Sequence, residues 1–337
     1  MTNSMPRVLY ADQDYPDVAL ERGLFNAAGI ELVTGDHHKT EDGLIAAGRD
    51  FDAFLIQYAP ITERVLTALP RLGIVSRIGA GFDTVDTAAC ARHGVWVANS
   101  PDYGVGEVST HALALALALV RNVVAFHRDI QAGAWHYLSS GKIRRASEMT
   151  LGIVGLGRIG KRMAHISRDV FKRVIACDPY LIDGDFPAYV ERSDLAGVFA
   201  QSDVVSLHTP LNDETRDMID ASVLGHMRPG SFLVNTARGA VVDMDDLLSA
   251  LDSGILAGAG LDVLPVEPVA DARLLGHPSV ILTPHAAFFS VQSEVELRRK
   301  AAQNIVTWMA TGRPEYVIVE GTRRLAQWVG DAAAELR

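Results

Sequence analysis

The sequence predicts an α/β protein made of two doubly wound parallel sheets, with one domain inserted into the other. Two runs of short apolar strands alternate with helix-like segments, a rhythm typical of parallel sheets covered by helices on both faces. A long helix-like segment separates the two runs, and another follows the second run. At 337 residues the chain also exceeds the ~250–300 residues that one hydrophobic core commonly supports.

The first run covers about the first hundred residues. Its strands are short and mostly apolar, and its first helix is ended by Gly29. The predicted strands are 8–11, 31–34, 53–57, 74–78 and 96–99, and the predicted helices are 17–28, 41–48, 62–69 and 86–93.

Turn residues at 99–104 precede a single long helix, predicted over about 106–132. A second long helix, about 292–311, follows the second run and leads to a last strand at 316–319, whereas the helix-like tail from Arg323 is unassigned. We expect residues 1–102 and 290–337 to form one domain and residues 103–289 the inserted one. The strands of the second run are 151–154, 174–177, 204–207, 232–235, 259–263 and 280–282.

Composition excludes several classes of protein. The net charge of -10 argues against nucleic acid as a partner, because phosphate backbones attract basic surfaces. The two cysteines, Cys90 and Cys177, suit a reducing cytoplasm and provide neither a disulfide framework nor a metal cluster. No signal peptide pattern opens the chain, and the longest apolar run, 112–120, is shorter than the ~18–20 residues of a membrane span. We expect a cytoplasmic protein with no metal and no membrane partner.

A glycine-rich turn after the first strand of the second run predicts a dinucleotide site. The G-x-G-x-x-G motif at 155–160 follows an apolar strand and opens a helix, and this context gives the motif its weight. Gly155 allows a tight turn, Gly157 lets the backbone approach the pyrophosphate, and Gly160 lets the helix pack on the sheet. The N–H groups of the helix N-terminus attract the anion. The alternative is a glycine-rich turn that binds nothing.

An acidic residue ends the next strand. Asp178 lies 23 residues after Gly155, where a carboxylate can accept hydrogen bonds from the adenosine ribose and repel a 2′-phosphate. Its neighbours Pro179 and Tyr180 bring no positive charge. The sequence therefore predicts NAD(H) rather than NADP(H), bound by the inserted domain.

Three distant residues form a candidate catalytic set. Arg238 follows strand 232–235, at the carboxyl end where ligands of open parallel sheets bind, and its guanidinium can grip a carboxylate at two points. His285 can act as a general acid, and Glu267 can fix its tautomer and stabilise its charged form. Together these side chains are what reduction of a 2-keto acid requires. Taken singly, each has a structural alternative: a surface arginine, one of 11 histidines, and a solvated loop glutamate.

Other strand ends carry further candidates. Asp262 is better suited to holding the nicotinamide carboxamide than to proton transfer, and His208 can line the cofactor. In the first run, Arg77 precedes a glycine-rich segment whose backbone N–H groups can point at a substrate carboxylate, as in an anion nest. The alternative for that segment is a plain strand-to-helix turn.

In combination these residues resemble the D-isomer-specific 2-hydroxyacid dehydrogenases over roughly residues 8–320. The resemblance implies a Rossmann-like NAD-binding domain inserted in a flavodoxin-like substrate domain, and a small 2-keto or 2-hydroxy acid as substrate. It implies catalysis by Arg238, Glu267 and His285, and a homodimer formed through the NAD-binding domains by helix 106–132 and the arm around Trp135. The cofactor-binding residues that it implies are Val108, Gly155, Leu156, Gly157, Arg158, Ile159, Gly160, Asp178, His208, Thr209, Pro210, Thr215, Thr236, Ala237 and Asp262.

Segments 77–83 and 285–290 look closest to the C-terminal-binding-protein branch of that family. This branch carries Trp where the chain has Phe288, so Phe288 should wall the substrate pocket. Ala80 replaces the lysine of phosphite-oxidising relatives, and an apolar wall disfavours a phosphorylated substrate, although Arg77 favours one. Since members of that branch act as scaffolds, an NAD(H)-sensing dimeric scaffold is the alternative function. The expected substrate-binding residues are Arg77, Gly79, Ala80, Gly81, Arg238 and Phe288.

Overall fold

The computed structural model describes residues 5–35 and 38–323, so the predicted helix-like tail after Arg323 lies outside the described residues. The chain divides into two compact units. Unit 1 comprises residues up to Gly104 and from Ser290 onward, and unit 2 comprises Val105–Phe289.

Strands and helices alternate along each unit. The first part of unit 1 contains β1 (Arg7–Tyr10), α1 (Ala19–Ala27), β2 (Glu31–Thr34), α2 (Glu41–Ala47), β3 (Ala53–Ile56), α3 (Glu63–Ala68), β4 (Ile74–Arg77), α4 (Thr87–His93) and β5 (Trp96–Ala98). Unit 2 contains α5 (Val105–Val120), α6 (Val123–Gln131), β6 (Thr150–Val154), α7 (Arg158–Ser167), β7 (Arg173–Cys177), β8 (Val190–Arg192), α8 (Leu195–Gln201), β9 (Val204–Leu207), α9 (Ala221–Leu224), β10 (Ser231–Asn235), α10 (Met244–Asp252), β11 (Leu256–Leu261), α11 (Ala272–Leu275) and β12 (Val280–Leu282). Unit 1 is completed by α12 (Val291–Thr311) and β13 (Val317–Val319).

The sheet of unit 1 has the strand order β13-β5-β4-β3-β1-β2. Strands β1 to β5 are all parallel, which gives the flavodoxin-like order 2-1-3-4-5. Every residue of β3 is buried, as expected for a central parallel strand covered on both faces. The side chains of Thr40, Thr62 and Asp86 accept hydrogen bonds from backbone N–H groups of α2, α3 and α4, which fixes where these helices begin.

The sheet of unit 2 has seven parallel strands in the order β12-β11-β10-β9-β6-β7-β8. Chain order reverses between β6 and β9, which pair directly, with Leu151 opposite Val204. The neighbouring residues Val204 and Val205 belong to apolar clusters on opposite faces, as the two-residue period of a strand requires. The predicted fold class of two parallel-sheet α/β domains is confirmed, and the reversal marks where an open sheet binds ligands.

The prediction of one helix over 106–132 is wrong. Two helices, α5 and α6, meet at an angle of 57°. Between them Asn122 has a φ of 52°, a left-handed conformation that interrupts a helix and that asparagine tolerates better than most residues. Its side-chain Nδ2 donates a hydrogen bond to the Ser140 carbonyl at 2.8 Å. Within residues 5–35 and 38–323, no single helix has the length and apolar character of a membrane span, and α5 and α6 meet that criterion only as a bent pair.

Two strands also differ from expectation. The sheet of unit 1 is not wholly parallel, because β13 pairs antiparallel with β5. The apolar pattern of an edge strand does not encode its direction, so the sequence could not reveal this. Strand β8 was not predicted, since its three residues include a single buried one, Val190, and are too few to show an alternating pattern.

Candidate active site

The turn that follows β6 and lies against the end of β9 requires glycine at two of its positions, Gly155 and Gly160. Gly155 has a φ of 88°, and a Cβ atom there would lie 2.8 Å from the His208 carbonyl oxygen. A Cβ atom on Gly160 would lie 2.1 Å from the Gly155 oxygen. At Gly157, by contrast, a Cβ atom would meet nothing within 4 Å. The turn therefore leaves open space at the N-terminus of α7, where backbone N–H groups can bind a pyrophosphate.

Asp178 at the end of β7 supports this turn. Its Oδ2 accepts a hydrogen bond from the Leu156 N–H at 2.9 Å, and its Oδ1 accepts one from the Tyr180 N–H at 3.0 Å. A carboxylate oxygen can accept two hydrogen bonds, so the same group can also receive ribose hydroxyls. Asp178 thus has a structural role that the sequence did not indicate.

Three buried polar atoms at the ends of β9 and β10 have no hydrogen-bond partner: His208 Nδ1, Thr209 Oγ1 and Thr236 Oγ1. Burial lowers the pKa of His208 to about 4, so its imidazole is neutral, and its Nε2 lies 2.9 Å from Ser206 Oγ. Buried polar atoms are rarely left unsatisfied in proteins, and a bound ligand can satisfy them. These atoms, together with the open space at Gly157, fit a dinucleotide.

The remaining cofactor-binding candidates also lie in unit 2. The Thr215 hydroxyl donates to the Pro210 carbonyl at 2.7 Å and so closes the loop after β9. Val108 is half-buried near the start of α5, while Arg158 and Ile159 open α7. Their roles toward the cofactor stay predictions.

His285 and Glu267 are in direct contact, with Nδ1 2.8 Å from Oε2. The other carboxylate oxygen of Glu267 accepts a hydrogen bond from the Leu264 N–H at 2.9 Å. Desolvation opposes ionisation of Glu267, but the hydrogen bonds from His285 and Leu264 and the charges of His285 and Arg238 outweigh it, and the pKa of Glu267 is lowered below 4.5. Because an ionised carboxylate only accepts hydrogen bonds, the His285 Nδ1 carries a proton and Nε2 is the nitrogen left for proton exchange.

Arg238 is brought close to this pair by its loop. The buried side chain of Asn235 organises the loop, donating from Nδ2 to the Arg238 carbonyl at 2.8 Å and accepting from the Ala237 N–H at 3.0 Å. At Gly239 a Cβ atom would lie 1.9 Å from the carbonyl carbon of Leu264, so the absence of a side chain lets the two loops pack. The Arg238 charge is consequently near enough to help lower the pKa of Glu267.

Asp262, at the end of β11, holds the residues around His285. Its carboxylate is buried and accepts hydrogen bonds from the Thr283 hydroxyl (2.6 Å) and from the N–H groups of Ala286 (2.8 Å) and Ala287 (2.9 Å). Its backbone carbonyl accepts the His285 N–H at 2.8 Å. The role predicted for Asp262 toward the nicotinamide carboxamide stays a prediction, whereas its hold on this loop is a feature of the structure.

The substrate-binding candidates are divided between the units. In unit 1 the Arg77 guanidinium folds over Gly79, where a Cβ atom would lie 1.2 Å from Arg77 Nη1. The Asn99 side chain donates to the Ala80 carbonyl at 2.7 Å, which anchors the segment that continues to the half-buried Gly81. In unit 2 the Phe288 ring lies edge-on to Phe289, with centroids 6.4 Å apart. Their contact with substrate stays a prediction.

The sequence did not reveal two polar residues of this region, His111 and Thr283. His111 Nε2 lies 3.0 Å from Thr283 Oγ1, across 172 positions of the chain. A lone histidine in an apolar helix carries no sign of so distant a partner. The one available signal was its position three residues after Val108, which the family resemblance gives as a cofactor-binding residue.

Comparison with known proteins gives three kinds of match. The family model described as D-isomer specific 2-hydroxyacid dehydrogenase, NAD binding domain, matches residues 113–287. The D-3-phosphoglycerate dehydrogenase of Mycobacterium tuberculosis is 34% identical over 304 residues, which are 90% of this chain and 56% of that protein. The chain thus spans about half the length of the phosphoglycerate dehydrogenases it matches.

A glyoxylate reductase of Aeropyrum pernix is similar over nearly its whole length. It is 33% identical over 317 residues, which are 90% of this chain and 92% of that protein. Among solved structures, the holo form of Rhodotorula graminis D-mandelate dehydrogenase is 28% identical with a TM-score of 0.84, covering 94% of this chain and 99% of that one.

Proposed function

The chain belongs to the D-isomer-specific 2-hydroxyacid dehydrogenases, and from this premise we propose that it is a reversible NAD-dependent oxidoreductase acting on a small 2-keto or D-2-hydroxy acid. The observation that carries the proposal is the contact of His285 with the ionised Glu267 at 2.8 Å, next to the Arg238 loop and in the same unit as the dinucleotide turn. This arrangement combines a proton donor, a carboxylate that orients it, and a cation for the substrate.

In the direction of reduction, Arg238 binds the carboxylate of the keto acid and stabilises the negative charge that develops on the ketone oxygen. Bound NADH supplies the hydride. His285 donates the proton from Nε2 to the ketone oxygen, while Glu267 holds Nδ1–H and stabilises the imidazolium. In the direction of oxidation, the neutral His285 accepts the hydroxyl proton. The guanidinium of Arg238 keeps its charge throughout.

The preferred cofactor under this proposal is NAD(H). Asp178 places a carboxylate at the end of β7, two residues before the exposed Tyr180. A carboxylate there accepts hydrogen bonds from a free ribose 2′-hydroxyl and repels a 2′-phosphate.

Two features of the chain favour different side chains on the acid. The likeness of segments 77–83 and 285–290 to the C-terminal-binding-protein branch supports an apolar wall at Phe288. Arg77 favours a second anionic group on the substrate. The acids to be tested should therefore span small, branched, aromatic and phosphorylated side chains.

A screen of NADH oxidation over that panel tests the proposal. We expect saturable turnover with at least one acid and a D-2-hydroxy acid as product. In the Arg238→Ala variant we expect kcat/KM to fall by about 10²–10³-fold, as on removal of a charge-stabilising group. No turnover with any acid, combined with dimerisation promoted by NADH, would instead support the NAD(H)-sensing scaffold.

We further propose a homodimer formed through unit 2. Helix α6 contains no buried residue, and its Val123 and Ile130 are 56% and 46% exposed. In the arm that follows, Trp135 and Tyr137 are 87% and 77% exposed. Clustered exposed aromatic and aliphatic side chains mark association surfaces, and the family resemblance points to a second copy as the partner.

A further inference from the structure

The backbone of His285 has an unusual conformation. Its φ is 53°, in the left-handed region that residues with a Cβ atom rarely adopt. Such a conformation persists only where the surroundings hold it in place. In the loop of residues 283–287, here called the His285 loop, the surroundings are largely Asp262, whose carboxylate accepts from Thr283, Ala286 and Ala287.

The imidazole of His111 lies beside the Asp262 carboxylate. His111 on α5 has its Nε2 3.0 Å from Thr283 Oγ1 and 3.6 Å from Asp262 Oδ1. The imidazole is a quarter exposed, whereas the Asp262 side chain is buried. His111 thus links α5 to the His285 loop by a hydrogen bond.

The number of protons on each group shows which one donates in the Thr283–Asp262 and His111–Thr283 hydrogen bonds. A threonine hydroxyl has one proton, and Thr283 Oγ1 gives it to Asp262 Oδ1 at 2.6 Å, because an ionised carboxylate only accepts. The contact between His111 and Thr283 must then be a donation from the His111 Nε2–H. The donors run in one direction, from His111 to Thr283 to Asp262, and hydrogen bonds in such a chain polarise one another.

On the basis of the proposed function, we infer that His111 and Thr283 are positioning residues for the proton donor. They fix the Asp262 carboxylate and thereby the backbone of the His285 loop, which sets the direction in which His285 presents its Nε2. Neither residue touches the reacting atoms in this role. They influence the rate of the proton-transfer step and not the affinity for the keto acid.

Hydrogen exchange of the His285 loop tests this inference without any need for turnover. In His111→Leu the donor is lost, and we expect the amides of Ala286 and Ala287 to exchange about fivefold faster, as for loss of one hydrogen bond to a polar network. In His111→Gln a side-chain N–H donor remains, and we expect exchange close to that of the unmodified chain. His277→Leu is the matched control, because His277 is also partly buried in unit 2 and lies 3.7 Å from a carboxylate, that of Asp252.

Kinetics of the same variants provide the second measurement. With a keto acid that is turned over, His111→Leu should lower kcat about five- to tenfold and leave its KM within about twofold, whereas His111→Gln should restore most of kcat. Thr283→Val should act in the same direction, and Thr283→Ser should restore the rate. Each position is thus tested by one variant that removes the hydrogen bond and one that keeps it. If His111→Leu or Thr283→Val folds poorly, the variants at the other position still test the inference.

The inference is overturned by unchanged exchange and kcat in His111→Leu, or by equal acceleration of exchange throughout unit 2 and in His277→Leu. Failure of the proposed function looks different. In that case no keto acid is turned over by the unmodified chain, although exchange of the His285 loop still responds to His111. Full activity loss in His285→Ala, with no response to His111 or Thr283, would refute the positioning role alone.

Discussion

Nδ1 of His285 lies 2.8 Å from Oε2 of Glu267, although the two residues belong to separate loops of unit 2. The other oxygen of the glutamate is fixed by the Leu264 N–H. A carboxylate restrained at both oxygens holds the imidazole in a single orientation. The pair therefore gives the proposed enzyme a proton donor with a defined reactive nitrogen.

Replacement of His285 by alanine should remove most turnover. A positioned general acid contributes about 10²–10⁴-fold to rate, so we expect kcat to fall by that order. NADH binding, measured by quenching of protein fluorescence, should be nearly unchanged, because the dinucleotide turn is built from other residues. His226→Ala, at an exposed position of the same unit, serves as the control. Near-normal turnover in His285→Ala would refute the role proposed for His285.

The charge of Glu267 should make stability depend on pH. Its pKa in the folded chain lies below 4.5, so the unfolded chain binds more protons between the folded-state pKa and 4.5. The stabilisation from Glu267 is therefore complete above pH 4.5 and is lost as the pH falls through the folded-state value. Urea denaturation of the unmodified chain and of Glu267→Gln should show a difference in the free energy of unfolding above pH 4.5 that shrinks at lower pH. A difference independent of pH would contradict this account.

Two glycines of the dinucleotide turn should respond to alanine in different ways. Gly157 has a φ of -68° that alanine accepts, and its Cβ position is open. Gly157→Ala should therefore fold normally while NADH affinity drops about tenfold or more, because the methyl group enters the space needed by the pyrophosphate. At Gly160 the methyl group would lie 2.1 Å from the Gly155 oxygen, so Gly160→Ala should lose about 1–3 kcal/mol of stability. Thermal melts and NADH titrations separate the two effects. Equal losses of stability would show that the space at Gly157 is not open.

Cofactor choice should depend on Asp178. In the unmodified chain we expect kcat/KM to be higher with NADH than with NADPH. In Asp178→Asn we expect kcat/KM with NADH to fall about tenfold more than kcat/KM with NADPH, because the charged acceptor of the ribose hydroxyls becomes a neutral one. Asparagine keeps the size of the side chain and one acceptor oxygen for the turn. Initial rates with both cofactors measure the ratio. Comparable rates with NADH and NADPH in the unmodified chain would contradict the assignment.

Association should depend on the arm after α6. Light scattering is expected to give twice the monomer mass, and Trp135→Glu should shift the protein toward monomer, because a charge would be buried in the interface. Tyr180→Glu is the matched control, since Tyr180 is 76% exposed in the same unit but lies after β7. A monomeric unmodified chain, or the same shift in both variants, would rule out this surface as the interface.

The strand and helix rhythm could be predicted from sequence because most of the strands and helices carry their own apolar pattern, although the three-residue β8 does not. The break between α5 and α6 at Asn122 could not be predicted, because a single left-handed residue inside an apolar stretch leaves the helical pattern almost intact. Nor could the direction of β13, which depends on its partner β5 and not on its own three residues.

At the candidate site, residue types at strand ends indicated Arg238, Glu267 and His285, because the carboxyl ends of parallel strands lie along one edge. The sequence did not indicate the hydrogen bond that links His111 to Thr283 or the support that Asp178 gives to Leu156. Both depend on side-chain directions in three dimensions, and no local pattern encodes them.

The contact at Gly239 limits which positions of the proposed substrate site can change. Any side chain at that position would collide with the backbone at Leu264, and no choice of rotamer relieves a clash with a Cβ atom. Phe288 already carries a Cβ atom and is half-buried, so a substitution there does not begin from such a clash. Divergence among relatives, and libraries made in the laboratory, should therefore find tolerated diversity at position 288 and almost none at 239.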